Sequence, residues 1–512
     1  MAAAIMSRAV LQPFEEYQKA RVTFVQTVAE LATRPQNIDA LQSAGVMQLL
    51  RPLLIDNVPS IQQSAALALG RLANYSDDLA EAIISNEILP QLVNSLAEQN
   101  RFYKKAASFV LRAVAKHSPE LAQAVVDSGA LEPLVTCLEE FDPGVKEGAA
   151  FALGFIARHN GQLANTVVEA GAIPLLVLCL QEPELSLKRI AASSLGDIAK
   201  HSADLAQKVV DAGATSFLSQ LISHPDSELK RQVCSALAQI AKHTVDLAEL
   251  VVEQEIFPRI LNCLKDTDPH VKKNAATCIR EIAKQNTAMA RLITNAGGSA
   301  AIVDYISETK GNARLPGIMT LGYISAFEEA LAMGVIVSKG VTPLSHALTN
   351  EPEDHIKAAA AWALGQIGRH SADHAKALAE ANIPFQLLAA YIDERSSDDL
   401  KAKAKRSLKG IVQMCSQLDA LQPLLEKSPA NILKYVVHQY AKILPTNVEA
   451  LRTFVQRGGL RKIQEIKAPA GSKLKDYIEE INRLYPPEIV QYYSPQYEEQ
   501  IIKKIEEFNA GS

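Results

Sequence analysis

The stretch FVLRAVAKHSPELAQAVVDSGALEPLVTCLEEFDPGVKEGAAFALGFIARH, residues 109–159, decides the fold. Its first nine residues return as its last nine, 42 positions later, with the same apolar spacing and the same closing basic–His pair. The series runs on in both directions as LALGRLANY (67–75), SSLGDIAKH (193–201), SALAQIAKH (235–243), TCIREIAKQ (277–285), MTLGYISAF (319–327) and WALGQIGRH (362–370). Only the last step is 43. A second series keeps the same period, from LQSAGVMQLL (41–50) through VVDSGALEPL (125–134), VVEAGAIPLL (167–176) and VVDAGATSFL (209–218) to ITNAGGSAAI (293–302) and IVSKGVTPLS (336–345). Self-similarity at a fixed period of this length means stacked repeats, each unable to bury its apolar face alone.

One unit reads as three helices. The first, 119–127, ends at Ser128-Gly129, where glycine can take the left-handed conformation that closes a helix. Gly45, Gly171, Gly213, Gly297 and Gly340 are read in the same register. The second, 130–139, is apolar at Leu131, Leu134, Val135 and Leu138, and Asp142-Pro143 breaks it. The third, from about 144 to His159, turns Ala149, Ala150, Leu153 and Ile156 inward. Gly70, Gly154, Gly196, Ala238, Gly322 and Gly365 let neighbouring third helices approach closely, and Ser118, Ser202, Thr244 and Ser371 read as N-caps. Units of two or three helices at this period are armadillo or HEAT repeats. The short first helix, turn glycine and long Ala-rich third helix favour armadillo. The predicted fold is all-α, an armadillo-repeat right-handed superhelix. The expected organisation is a capping helix region at 1–36, armadillo repeats at 37–415, degenerate repeats at 416–484 and a tail at 485–512.

Composition agrees. At 512 residues a single compact core is improbable, and 48% apolar residues with only 5% aromatic is the make-up of packed Ala/Leu/Val helices. A net charge of −5 gives no support to nucleic-acid binding. No apolar run reaches membrane-spanning length and no signal-peptide pattern opens the chain, so a soluble, non-secreted protein without membrane association is expected. Six cysteines lack any C-x-x-C pair, and Cys137, Cys179 and Cys263 share one register on apolar helices. They read as reduced core residues. No phosphate-cradling loop or H-E-x-x-H occurs, and the sequence predicts no enzyme activity, cofactor or metal.

Three ladders recur. His117, His159, His201, His243 and His370 are spaced by whole repeats, too far apart to share a metal, and read as hydrogen-bonding the adjoining turn. Lys116, Arg158, Lys200, Lys242, Lys284 and Arg369 fall at helix C-termini, where positive charge is favourable. Lys104, Lys146, Lys188, Lys230, Lys272, Arg314 and Lys357 fall at the start of third helices, where it is not. Two readings of this last ladder stand side by side. It is a positive stripe for an acidic partner, or it pairs with Asp142, Glu184, Asp226, Asp268 and Glu353, each four residues earlier. Lys104 and Arg314 lack such an acid and are the better binding candidates.

Beyond the repeat, VAELATRPQNIDALQSAGVMQLLRPLL (28–54), the stretch NRFYKK (100–105), EPEDHIKAAAAWALGQIGRH (351–370) and the tail YPPEIVQYYSPQY (485–497) carry a narrower resemblance. They resemble the armadillo-repeat family of the ciliary central apparatus, the sperm-associated antigen six family. That resemblance implies a cytoplasmic, cytoskeletal protein of the axoneme in cilia and flagella. It implies association with a central-pair microtubule and a need for the protein in axoneme stability and motility. The partners it implies are central-apparatus proteins, tubulin and further copies of the chain. The alternatives on the same fold are cargo or signalling adaptors of the importin-alpha or catenin type. Import adaptors carry a Trp and, four residues later, an Asn in successive third helices. Here the pairs are Phe151/Phe155, Ser193/Asp197, Ser235/Gln239, Thr277/Glu281 and Trp362/Gln366, from which no signal-peptide groove can be built.

Overall fold

In the computed structural model the described residues are 2–98 and 100–510, and among them every regular element is helical. The chain is a solenoid of repeated helices, as its period requires, and divides into two compact units, one up to Cys263 and one from Leu264 onward.

In the first unit the third helices Pro59–Tyr75, Arg101–Ala115, Pro143–His159, Leu185–Ala199 and Ser227–Ala241 pack successively against one another. The helix Ala2–Leu31, within the expected capping region 1–36, lies against the first of them. Val110, Val114, Leu153, Ile156, Leu195, Ile198, Leu237 and Ile240 are fully buried along this seam. Each such side chain contributes about 1.5–3 kcal/mol by leaving water. In the second helix Leu131–Cys137 it is Cys137, not Val135, that joins Leu131 and Leu134 in the core.

The second unit repeats the arrangement with Pro269–Ala283, Leu315–Phe327, Asp354–Gly368 and Asp398–Met414, followed by Ala430–Ile443 and Lys473–Asn482. Two short connections later the chain forms Pro487–Tyr492 and Tyr497–Ala510.

Glycine governs the approach of third helices. A Cβ on Gly365 would lie 2.9 Å from the Ser407 backbone, and one on Gly322 would enter the Trp362 ring. The turn between first and second helices takes positive φ at Gly45, Gly129, Gly171, Gly213 and Gly297. The reading fails at Gly340, which is right-handed (φ −66°), while Lys339 takes the left-handed conformation at φ 62°. Lys339 lies 42 residues after Gly297, so the register is unbroken there and the inserted residue falls later, within the segment leading to Asp354–Gly368. Glu87, Glu255 and Asn382 occupy the same strained position in other repeats.

Of the four proposed N-caps, the hydroxyls of Ser118, Ser202 and Thr244 accept from the backbone N–H three residues on, each at 3.2 Å. Ser371 departs from this. It makes no such cap, because its Oγ is engaged at 2.8 Å by Nδ1 of the buried His374.

Candidate protein-binding face

The histidine ladder ties repeats together. The Nε2 of His117 lies 2.7 Å from the carbonyl of Ala73, and His159, His201 and His243 repeat the contact to Ala115, Ala157 and Ala199 at 2.6–2.8 Å, each across 44 residues. In the second unit His370 contacts the Ser325 carbonyl at 2.6 Å. The accepting carbonyls belong to the last turn of a helix, where intrahelical donors run out. Burial holds His201 below the ordinary imidazole range. The neighbouring basic ladder serves the same end in part: Lys116 Nζ donates to the Asn74 carbonyl at 2.6 Å and Arg369 to that of Ala326 at 2.8 Å.

The helix-start ladder is paired, but not in the way its sequence spacing suggests. Among the described residues Asp142, Glu184 and Glu353 make no ion pair with the lysine four residues on. Asp142 accepts instead from the N–H groups of Gly144 and Val145 at 3.0 and 3.2 Å, and Asp226 from that of Leu229 at 2.7 Å. These acids stand at the cap, in extended backbone, where the carboxylate turns to the free N–H groups of the first turn rather than along the helix surface. The Lys105 ammonium beside Asp142 and the Arg189 guanidinium beside Asp226 hold those carboxyls below the usual range.

The ladder's carboxylates come from the next repeat. Lys104 Nζ is 2.6 Å from Glu140, Lys272 Nζ is 2.9 Å from Glu308, both 36 residues on, and Lys146 meets Glu182 in the same way. Arg314 meets Glu351 at 2.8 Å with both side chains buried. Lys104 and Arg314, expected to be the rungs without an acid, are therefore both paired. Lys357 lies 3.4 Å from Asp354, and Lys230 is also engaged. Lys188 is the exception. Position 224, 36 residues after it, is a histidine, and among the described residues its half-buried side chain makes no ion pair or hydrogen bond.

A feature missed in the sequence lies on the third helices of the first unit. The Arg112 guanidinium sits 4.9 Å from the Phe109 ring centre and 4.6 Å from that of Phe151. Phe151 and Phe155 stack with centres 6.1 Å apart, and Arg158 lies 5.9 Å from Phe155. Burial lowers the Arg112 pKa, with Glu147 partly opposing. Beside this row a hollow of about 400 Å³ is lined by Arg158, Ser193, Asp197, Lys200, Gln232 and Gln239. Rigid aromatic faces flanked by arginines, next to amides and hydroxyls that can bond a peptide backbone, suit an extended protein segment. The i,i+3 spacing of Phe109 to Arg112 and Phe155 to Arg158 was the available signal.

All six cysteines are buried, and burial pushes the thiols of Cys137 and Cys179 up to about 11. Among the described residues no group of three or more His, Cys, Asp or Glu could hold a metal. Nor is any single helix among them long and apolar enough to cross a membrane.

Stacked three-helix units with these inter-repeat contacts define an armadillo-type repeat protein, a protein-binding class of fold. An armadillo/beta-catenin-like repeat matches residues 118–158, and HEAT repeats match residues 215–303. The crystal structure of an engineered protein superposes with a TM-score of 0.65 at 24% identity, covering 85% of this chain and 98% of that one. The chain is 70% identical over 501 residues to sperm-associated antigen 6 of Mus musculus, covering 98% of this chain and 99% of the relative. It is also 70% identical to sperm-associated antigen 6 of Homo sapiens, covering 98% of each. The chain belongs to the sperm-associated antigen 6 family.

Proposed function

We propose that this protein is a non-enzymatic scaffold of the central apparatus of motile cilia and flagella. It associates with a central-pair microtubule and is required for axoneme stability and for ciliary and sperm motility. The observation that carries this reading is the 70% identity to sperm-associated antigen 6 over 98% of the chain, with repeated helices throughout the described residues. Partner proteins, tubulin among them, dock through the third-helix faces, where the aromatic–arginine row and Lys188 present cationic, shape-stable contacts. Further copies of the chain associate through residues 416–512, whose last helix exposes Ile501, Ile502 and Ile505. Exposed apolar faces of this kind mark association surfaces.

Tagging the protein in a cell with motile cilia and sectioning for immuno-electron microscopy tests the reading. Label on one central microtubule is expected, and label spread through the cytosol or along the outer doublets overturns it. Sedimentation of the full chain against residues 1–415 tests self-association; two monomers at micromolar concentration would rule it out.

A further inference from the structure

We propose that Ser494 is a phosphorylation site and that Arg461 and Arg483 receive its phosphoryl group. Four Ser/Thr-Pro dipeptides occur: Ser118-Pro119, Thr342-Pro343, Ser428-Pro429 and Ser494-Pro495. Three are committed to the repeat. Ser118 caps the helix Pro119–Asp127, Thr342 lies inside Val341–Asn350 beside the buried Pro343, and the Ser428 Oγ is buried without a partner.

Ser494 differs on each count. It lies in the four-residue connection between Pro487–Tyr492 and Tyr497–Ala510. Pro487–Tyr492 is six residues long and buries none of its side chains. A helix so short is not stable alone, and opening a segment with so little buried surface is cheap. Among the described residues the Ser494 hydroxyl is held by the Gln496 N–H alone, at 3.4 Å.

The surroundings suit a dianion. Ser494 lines two adjoining hollows. One, of about 470 Å³, is shared with Arg461, Glu465, Tyr492, Tyr493 and Tyr497. The other, of about 700 Å³, is shared with Arg483, Asn482, Gln491 and Gln500. Glu465 and Glu479 also line them. Arg461 lies 3.6 Å from Glu465 with its side chain 73% exposed, a loose pair that a phosphate can displace. A phosphoserine carries about −1.5 to −2 charges at neutral pH, and opposite arginines it orders the segment that bears it.

The step needs a proline-directed serine kinase and a nucleoside triphosphate. The Oγ–P bond forms and the bond from the γ-phosphorus to the bridging oxygen breaks. The nucleoside diphosphate leaves, and the hydroxyl proton passes to the kinase's carboxylate base.

Incubating the full chain with such a kinase and magnesium ATP, and mapping sites by mass spectrometry, tests the proposal. Ser494 is expected to fill at least ~10-fold faster than Ser118, Thr342 or Ser428, since ~1.4 kcal/mol of easier opening is enough for that ratio. Equal or slower labelling at Ser494 overturns the assignment. Phosphorus NMR of the product then reads the second ionisation of the phosphate, ordinarily near pH ~6. It is expected lower here, and to move up when Arg461→Ala and Arg483→Ala are combined. A titration unmoved by both substitutions overturns the arginine cradle. Ser494→Ala is expected to remove the signal with the helical circular dichroism unchanged.

Discussion

Lys104 and Arg314 occupy the same place in the repeat, and the molecule treats them in opposite ways. Lys104 reaches Glu140 at the rim, in a pair with 13% and 36% of its side chains exposed. Arg314 is sealed in. Its Nε donates to the Ile306 carbonyl at 3.1 Å, and one terminal nitrogen reaches Glu351. Glu351 in turn accepts from the Gly311 N–H at 3.2 Å. Side chains in one register can therefore be a partly exposed latch in one unit and a loop-ordering core group in the other. What differs is the backbone ahead of the helix. Asn100 caps Arg101–Ala115 directly, whereas a 3-10 turn at Gly311–Ala313 precedes Leu315–Phe327 and carries Arg314 inward.

That comparison is broken most directly by removing the cation. Arg314→Ala leaves Glu351 buried and the loop untied, and about 3–5 kcal/mol of stability should be lost. Lys104→Ala should lose about 1 kcal/mol at most, as rim ion pairs do. Urea unfolding followed by helical circular dichroism reads both. Equal losses would mean that burial of the Arg314 pair makes no difference. Replacing Arg314 and Glu351 together by Met and Leu should recover much of the loss, because two apolar groups leave no buried charge behind.

Packing between third helices gives the next effect in size. Gly365→Ala places a methyl against the Ser407 backbone and should cost about 1–3 kcal/mol by overpacking. Gly410→Ala meets only the Arg369 Cβ at 3.5 Å, ordinary contact, and should fall near zero or be stabilising, as glycine is a poor helix former. A loss at Gly410 as large as at Gly365 would argue against close approach as the cause.

The repeat, its period and its buried stripe were legible because they depend on local spacing, which a sequence displays. The His contacts were legible as a class, since stacking brings one repeat's end against the next. The pairing of the lysine ladder was not. Asp142 looked like the partner of Lys146 because it is four residues away, but a cap residue turns its carboxylate to the helix N–H groups. The true partner, Glu182, is 36 residues away, an interval visible only once the stacking of repeats is known. The Gly340 assignment failed for a related reason: one inserted residue was placed before the turn rather than after it, because a glycine happened to lie one position from a lysine that must bear the strain.

That strained lysine gives a smaller, opposite effect. A non-glycine residue in the left-handed region is disfavoured by roughly 1–2 kcal/mol, and glycine recovers most of this at some cost in chain entropy. Lys339→Gly should therefore stabilise by about 0.5–1 kcal/mol, measured as a higher urea midpoint. Gly340→Ala has a different expectation: its φ of −66° is ordinary, but a Cβ there would meet Val335, so a modest loss should follow. If Lys339→Gly lowers the midpoint instead, the turn residue is Gly340 after all.

The smallest expected change in stability falls on Lys188, and it bears most on function. Every other rung of the ladder has a carboxylate or another partner in the protein, so reversing its charge breaks an internal contact as well as any external one. Among the described residues Lys188 has none, because His224 stands where its acid would be. Lys188→Glu should therefore cost no more than about 0.5 kcal/mol, the size of the like-charge i,i+4 contact it creates with Glu184, since it breaks no internal pair. A cation that contacts an acidic partner acts mainly on encounter rate and register, and its effect shrinks as salt screens it. Microtubule or central-apparatus binding should fall severalfold at low salt for Lys188→Glu, and by much less near 0.5 M salt. Installing the missing acid as His224→Glu should mimic the loss by closing Lys188 internally while leaving its charge in place. If both variants bind like the parent at low salt, the ladder serves only to tie one repeat to the next, and the docking surface is the aromatic–arginine row alone.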